Sequence, residues 1–308
     1  MKKHALRLLA LILALSMVFA SVGCSRGTET ESSTSELSSS SEESESSSAS
    51  EGESTSESGS EAAGSEATSG ASSTAASGSS ATGAPGSIEN ISLSAKLKQG
   101  IARNSDTVAW LKVPNTTIDD AVIQYSDNDY YLRLNEDKSY DVFGCYMADY
   151  NCFLDQDRSG LSRNTIIYGH SDYKDNPNGK RFSQLFNYTD INFLKSNPYI
   201  YLTTEKGEMV WQIFAVFYTN INFNYIQANP TADVMAEIVK EAKSRSEYII
   251  DLDVTSSDKV LTLSTCTKYY NEANYENYRF VVMAKLLPAG ASGTCTTAMS
   301  VNPSPKKS

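Results

Sequence analysis

Three side chains suited to attack on a carbonyl stand at the ends of strand-like runs in this chain. The run Lys259-Val-Leu-Thr-Leu-Ser-Thr-Cys266 closes on a thiol, and thirteen positions later Arg279-Phe-Val-Val-Met-Ala-Lys-Leu-Leu287 opens on a guanidinium. Upstream, Asn164-Thr-Ile-Ile-Tyr-Gly-His170 ends on an imidazole, the only histidine besides His4. A thiolate attacks carbonyls well, but it needs a nearby cation or base to form near neutral pH. Histidine is the side chain whose ordinary pKa suits proton transfer there. Arginine is always charged and offers several donors to a carbonyl or to the oxyanion that attack creates. Each also has a bland reading: a buried cysteine acting as a small hydrophobe, a surface or core histidine, an arginine in a strand-edge ion pair. Singly each signal is weak. Their common address at strand ends, where a scaffold presents groups to a cleft, points to an enzyme.

The elements that must position these residues are short. Strand-like runs cover Val108–Val113, Ala121–Tyr125, Val142–Met147, Asn164–Tyr168, Tyr199–Thr203, Met209–Tyr218, Lys259–Thr265 and Arg279–Leu287. Separated by turn signals, they predict a mainly β domain with accessory helices, an antiparallel barrel or sandwich. Helical spacing predicts an N-terminal helix over Glu89–Arg103 and a short one at Phe182–Phe186. A longer helix is expected over Thr231–Ser246, started by Asn229-Pro230, with Val234, Ile238 and Ala242 on one face.

Composition divides the 308 residues into an export segment (1–24), a tether (25–87), a foldable domain (88–287) and a small polar tail (288–308) expected to fray. Lys2, Lys3 and Arg7 precede an apolar stretch, Leu8–Gly23, of sixteen residues. A membrane-crossing helix needs about 20, so a secretory signal is favoured over a permanent span. Ser21-Val-Gly-Cys24 is similar to a lipobox, with Ser21 where leucine is usual, making Cys24 a candidate for lipid attachment. An uncleaved anchor and simple secretion stay open, and all three readings place the domain outside the cytoplasm. The tether carries eleven glutamates against one arginine, close to the whole chain's net charge of −11, so it should stay disordered. A working domain without a basic patch argues against nucleic acid as partner.

Tyr-Gly-His170, Thr-Leu-Ser-Thr-Cys266 and the Arg279 run together resemble the signatures of sortases, the cysteine transpeptidases of Gram-positive surfaces. Ala109-Trp-Leu-Lys-Val, Thr117-Ile-Asp, Asp127-Asn-Asp-Tyr-Tyr-Leu132 and Phe182-Ser-Gln-Leu extend the likeness, to class B in particular. The resemblance implies an eight-stranded sortase barrel with an N-terminal helix and an extra helix between strands six and seven. It implies catalysis by His170, Cys266 and Arg279, a substrate groove touching Asn128, Leu132 and Ser264, and no cofactor. Its partners would be surface proteins bearing a C-terminal sorting signal and a peptidoglycan amine, met at the outer face of the membrane. The connection from Cys266 to Arg279 looks longer than the family's usual loop, which leaves its part in specificity open.

Two rival readings stand beside this one. A cell-wall peptidase or hydrolase would also use cysteine and histidine, but such enzymes usually place the cysteine first or close to the histidine. A tethered adhesin with an unused triad would need the same tether. Cys145 and Cys152, flanking Tyr-Met-Ala-Asp-Tyr-Asn, are conceivable disulfide partners in an exported protein. A metal site is not expected, since no Cys-x-x-Cys pair accompanies the histidine.

Overall fold

Alternating burial sets the first strand of the computed structural model: in β1 (Thr107–Lys112) Thr107, Ala109 and Leu111 are buried and their neighbours half-exposed. The structure describes residues 84–172, 174–270 and 275–307. The expected export segment, Cys24 and the tether up to residue 83 lie outside the described residues. Among those described, no helix is long and apolar enough to cross a membrane.

Seven further strands close a barrel with β1. They are β2 (Asp119–Ile123), β3 (Tyr146–Ala148), β4 (Asn164–Tyr168), β5 (Tyr199–Thr204), β6 (Gly207–Asn220), β8 (Val260–Cys266) and β9 (Tyr278–Leu286). Their order around the barrel is β1-β2-β3-β4-β8-β9-β6-β5, and β5 pairs back to β1. The expected purely antiparallel arrangement is corrected at two places, because β2 pairs parallel with β3 and β4 parallel with β8. Parallel pairing needs both faces covered, which matches the unbroken burial of Val260–Thr265 in β8. Leu261 and Leu263 face the main core with Ile167, Phe182 and Trp211, while Val260 packs with Met235 and Ile238 on the other side.

The cover on that outer face is a helix between β6 and β8, Ala232–Arg245, here α3. Its cap is Thr231, whose hydroxyl accepts the Val234 N–H, with Asp233 in the first turn and Lys243 and Arg245 in the last. Its buried face is Met235, Ile238, Val239 and Ala242; Val234, expected there, is 37% exposed and turns outward. The N-terminal helix is shorter than expected, Ser94–Arg103 (α1), and α2 spans Ile191–Ser196. The Phe182 stretch is a 3-10 helix, Arg181–Thr189.

Two further expectations change. The third strand starts only at Tyr146, because Asp141 folds the preceding residues into a turn, its carboxylate accepting Phe143 N–H and its carbonyl Gly144 N–H. The segment after Leu287 packs instead of fraying: β10 (Met299–Val301) pairs with β7 (Tyr248–Ile250), and Cys295 is buried against Tyr199 and Tyr201.

Candidate active site

The register of the barrel places the three reactive residues. Along β4 and β8, Asn164 faces Val260 and Tyr168 faces Ser264, a constant offset of 96 positions. Carried two residues past the end of β4, that offset sets His170 beside Cys266. On the other side Cys266 is the direct antiparallel partner of Arg279. Residues opposed across neighbouring strands share a face, with strands about 4.8 Å apart. Imidazole, thiol and guanidinium accordingly line the same cavities, His170 just past the end of β4 and Cys266 opposite Arg279 on β8 and β9.

Gly169 is dictated by what lies under it. A Cβ there would stand 2.7 Å from a ring carbon of Phe182 and 3.0 Å from one of Tyr146. The Phe182 N–H in turn donates to the His170 carbonyl at 2.9 Å, so the 3-10 helix and the histidine segment are packed and bonded together. The His170 ring is half-buried, and its Nε2 lies 2.8 Å from the Leu132 carbonyl. A carbonyl only accepts, so Nε2 carries the proton and Nδ1 is left as the basic nitrogen of the neutral ring. Burial holds the imidazole pKa below its ordinary value; the Leu132 carbonyl and Asp141 oppose this, while Arg133 adds to it. His170 is thus neutral near pH 7.

Arg279 is held by its own backbone neighbourhood, its Nη1 donating to the carbonyls of Glu276 at 2.6 Å and Tyr278 at 2.9 Å. Cys266 is partly exposed, and its carbonyl accepts the Ser171 hydroxyl at 2.7 Å. The other described thiols differ. Cys145 and Cys152 are free and buried, not joined as a disulfide, and burial pushes both up to about 12.

Two cavities meet here, each lined by His170, Cys266 and Arg279. One, of about 260 Å³, is mostly apolar and is also lined by Asn128, Leu132 and Ser264, so the residues expected in a substrate groove come together there. Their polar groups are already engaged. Asn128 donates to Asp149 at 2.9 Å and accepts the Tyr150 N–H at 3.1 Å, and the buried Ser264 hydroxyl bonds the Tyr225 hydroxyl at 2.8 Å. Leu132, 40% exposed, offers its side chain and lends its carbonyl to His170. The other cavity, of about 420 Å³, is charged, with Arg133, Asp172, Asp175, Lys268 and Glu276 in its wall.

Residues not singled out by sequence complete the first cavity. Ile226, from the loop between β6 and α3, closes its side, and Tyr168 and Met147 form part of its wall. Asn164 fixes that loop through bonds to the carbonyls of Tyr225 and Gln227 at 2.9 and 3.2 Å, while accepting the Thr262 hydroxyl at 2.6 Å. Periodicity carries no sign of this role; an asparagine opening an otherwise apolar buried strand was the available clue.

Comparison with known proteins gives a consistent result. The family model described as Sortase domain matches residues 111–287, more than half of the chain. Sortase B of Listeria monocytogenes is 35% identical over 188 residues, covering 60% of this chain and 71% of that protein. The structure titled Staphylococcus aureus sortase B-substrate complex aligns with TM-score 0.55 at 27% identity, over 64% of this chain and 86% of that one. A sortase B complexed with triglycine aligns with TM-score 0.55 at 25% identity, over 64% and 88% of the two chains.

Proposed function

The chain belongs to the sortase family, as a class B cysteine transpeptidase, and we propose that Cys266, His170 and Arg279 are the residues with which it works. The observation that carries this assignment is their convergence at the ends of β8 and β9 and just past the end of β4, where all three line two adjoining cavities.

The chemistry follows from the geometry. The Cys266 thiol gives its proton to Nδ1 of His170 as sulfur attacks the carbonyl carbon of a threonine in the donor peptide. Arg279 stabilises the oxyanion that forms. The tetrahedral intermediate collapses to a thioester, and the departing amine nitrogen takes the proton from His170. An incoming amine then attacks the thioester carbon, its proton passing to Nδ1, and the thiolate leaves and is reprotonated. The donor threonine thereby gains a new amide bond.

The donor peptide occupies the apolar cavity beside Leu132, Ile226 and Ser264, and Asn128 shapes its wall through Asp149 and Tyr150. Its sequence is of the Asn-Pro-x-Thr or Ser/Pro-Pro-x-Thr-Gly kind at the C-terminal end of a surface protein. The acceptor is a peptidoglycan amine; the triglycine complex of a related enzyme supports a small amine-bearing peptide in this place. The domain works at the outer face of the membrane, held by its N-terminus through a lipid on Cys24 or an uncleaved anchor. Mass spectrometry of the mature N-terminus separates these two.

A fluorogenic sorting peptide with an added amine tests the assignment. Wild-type protein forms a thioacyl adduct on Cys266 and then the amine-capped product, and Cys266→Ala forms neither. Undiminished cleavage by Cys266→Ala overturns the choice of nucleophile. Amine-independent turnover of muropeptides would favour a wall hydrolase instead.

A further inference from the structure

The backbone ladder that aligns histidine and cysteine gives out before it reaches either of them. Its last bond, from Gly169 N–H to the Ser264 carbonyl, is already long at 3.4 Å. Beyond it β4 has ended while β8 runs on to Cys266 paired with β9, and among the described residues no ladder hydrogen bond fixes residue 170 against residue 266. On its other flank Cys266 is secured by pairing with Arg279, and Thr267 N–H donates to the Tyr278 carbonyl at 3.2 Å. The histidine flank needs a substitute.

That substitute is the turn after His170. Ser171 donates its hydroxyl to the Cys266 carbonyl, across 95 positions of sequence. Four residues further on, Asp175 turns its carboxylate onto the start of the loop that follows the thiol. Its Oδ2 accepts the Thr267 hydroxyl at 2.6 Å and the Lys268 N–H at 3.0 Å, and its Oδ1 lies 3.2 Å from the same nitrogen. To do so Asp175 adopts φ of +50°, a left-handed backbone that few residues other than glycine, asparagine and aspartate accept. The turn is in turn anchored to the 3-10 helix, since Asp172 N–H donates to the Ser183 hydroxyl at 2.6 Å.

We propose that Asp175 is a positioning residue for the thiol–imidazole pair, its carboxylate clipping Thr267 and Lys268 so that Cys266 stays beside His170. The inference rests on the reading of Cys266 as nucleophile. Thr267 is buried and its hydroxyl is spent on Asp175, so it is unavailable to substrate and serves the clip. Burial and the neighbouring Asp172 push the Asp175 carboxyl above the usual carboxylate range, while the bonds from Thr267 and Lys268 work against that shift. A carboxylate drawn into such a setting makes strong, directional hydrogen bonds. Asp175 lies in the charged cavity and not in the apolar one, so its loss should leave donor binding nearly untouched.

The test is steady-state cleavage of a sorting peptide by full-length protein, comparing kcat with KM. Asp175→Ala should lower kcat by about ten- to a hundredfold, the range expected when reacting groups drift by about 1 Å, with KM changed less than about threefold. Thr267→Val should show the same pattern, and Thr267→Ser, which restores the hydroxyl, should recover most of the loss. The double variant Asp175→Ala/Thr267→Val should be no slower than the slower single variant, because both remove one contact. If Asp175→Ala fails to fold, Asp175→Asn replaces it; losing one acceptor oxygen, it should lose kcat in the same direction. A kcat within about twofold of wild type in the folded Asp175 variant, or single effects that multiply in the double variant, overturns the inference. Cys266→Ala run alongside separates the two layers. If it cleaves normally, the nucleophile assignment falls and takes this inference with it; if it is inactive while Asp175→Ala is unimpaired, the inference alone falls.

Discussion

Gly169→Ala is the sharpest probe of how the barrel holds its histidine. The substitution adds one methyl group where the nearest ring carbons of Phe182 stand 2.7 and 2.8 Å from the new Cβ, and ordinary contact begins at 3.4 Å. The ring or the strand end must therefore yield by about 0.7 Å. The backbone at 169 is not left-handed, so the methyl clash is the whole perturbation. Phe182 is fully buried in the main core, so its ring moves only by displacing packed neighbours. Moving it also strains the 2.9 Å bond from its N–H to the His170 carbonyl. Overpacking of this kind costs about 1–3 kcal/mol, which for a domain of this size lowers Tm by roughly 2–12 °C. The displacement passes directly to the histidine, so kcat for peptide cleavage should drop by about ten- to a hundredfold. The donor cavity is bounded mainly by other residues, and KM should move little. Differential scanning calorimetry and peptide turnover give both numbers. Shrinking the ring in the double variant Gly169→Ala/Phe182→Leu should recover part of kcat. A Gly169→Ala protein with wild-type Tm and kcat would refute the packing argument for the Tyr-Gly-His run.

Four other outcomes follow from the same geometry. The His170 pKa is held below its ordinary 6.5 by burial; with the neutral ring as the proposed base, kcat/KM should rise with pH along an acid limb centred below 6.5. As pH falls past 6.5 the unfolded chain takes up the proton before the folded domain does, so stability should also decline on acidification through that window; urea midpoints at a series of pH values from neutral downward check the sign. Brief treatment of the folded protein with iodoacetamide should alkylate Cys266 and spare Cys145, Cys152 and Cys295, which are buried; peptide mapping by mass spectrometry reads this, and Cys145→Ser should keep the same labelling pattern. Tyr225→Phe removes the 2.8 Å bond to Ser264 beneath the donor cavity; it should destabilise the domain by about 1 kcal/mol and raise donor KM more than it lowers kcat.

Much of this site was legible in the sequence, and the reason is physical. Strands β4, β8 and β9 carry long runs of β-branched and apolar residues, so their ends, and hence His170, Cys266 and Arg279, could be placed without coordinates. The pairing was not legible. Alternation reports which face a residue takes, not which strand lies alongside, and the two parallel pairs depend on crossovers that periodicity does not record. Val142 and Phe143 read as β-type, so the expected third strand starts too early; the side chain of Asp141 turns the backbone there. A three-residue stripe fixes a helix's rotation poorly, so the expected face through Val234 is offset by one residue from the buried one, which begins at Met235. The C-terminal segment, small and polar, gave no sign of the strand it adds beside β7.

The spacing between histidine and cysteine shows where the two kinds of information join. In the sequence, the 96 positions separating His170 from Cys266 only disfavour enzymes that place their cysteine first or close to the histidine. In the barrel the same 96 is the register of β4 on β8. Inserting one residue between Tyr168 and His170, or between Ser264 and Cys266, would leave the ladder from Asn164 to Tyr168 in place and still turn one reactive side chain to the opposite face. Insertions of equal length within the intervening loops, far from either strand, would change the spacing and leave the site intact. The site is therefore specified by two short distances from the last pair of the β4–β8 ladder, Tyr168 to His170 and Ser264 to Cys266. It is there, and not in the long connection between them, that changes of length should abolish thioacyl formation while the barrel still folds.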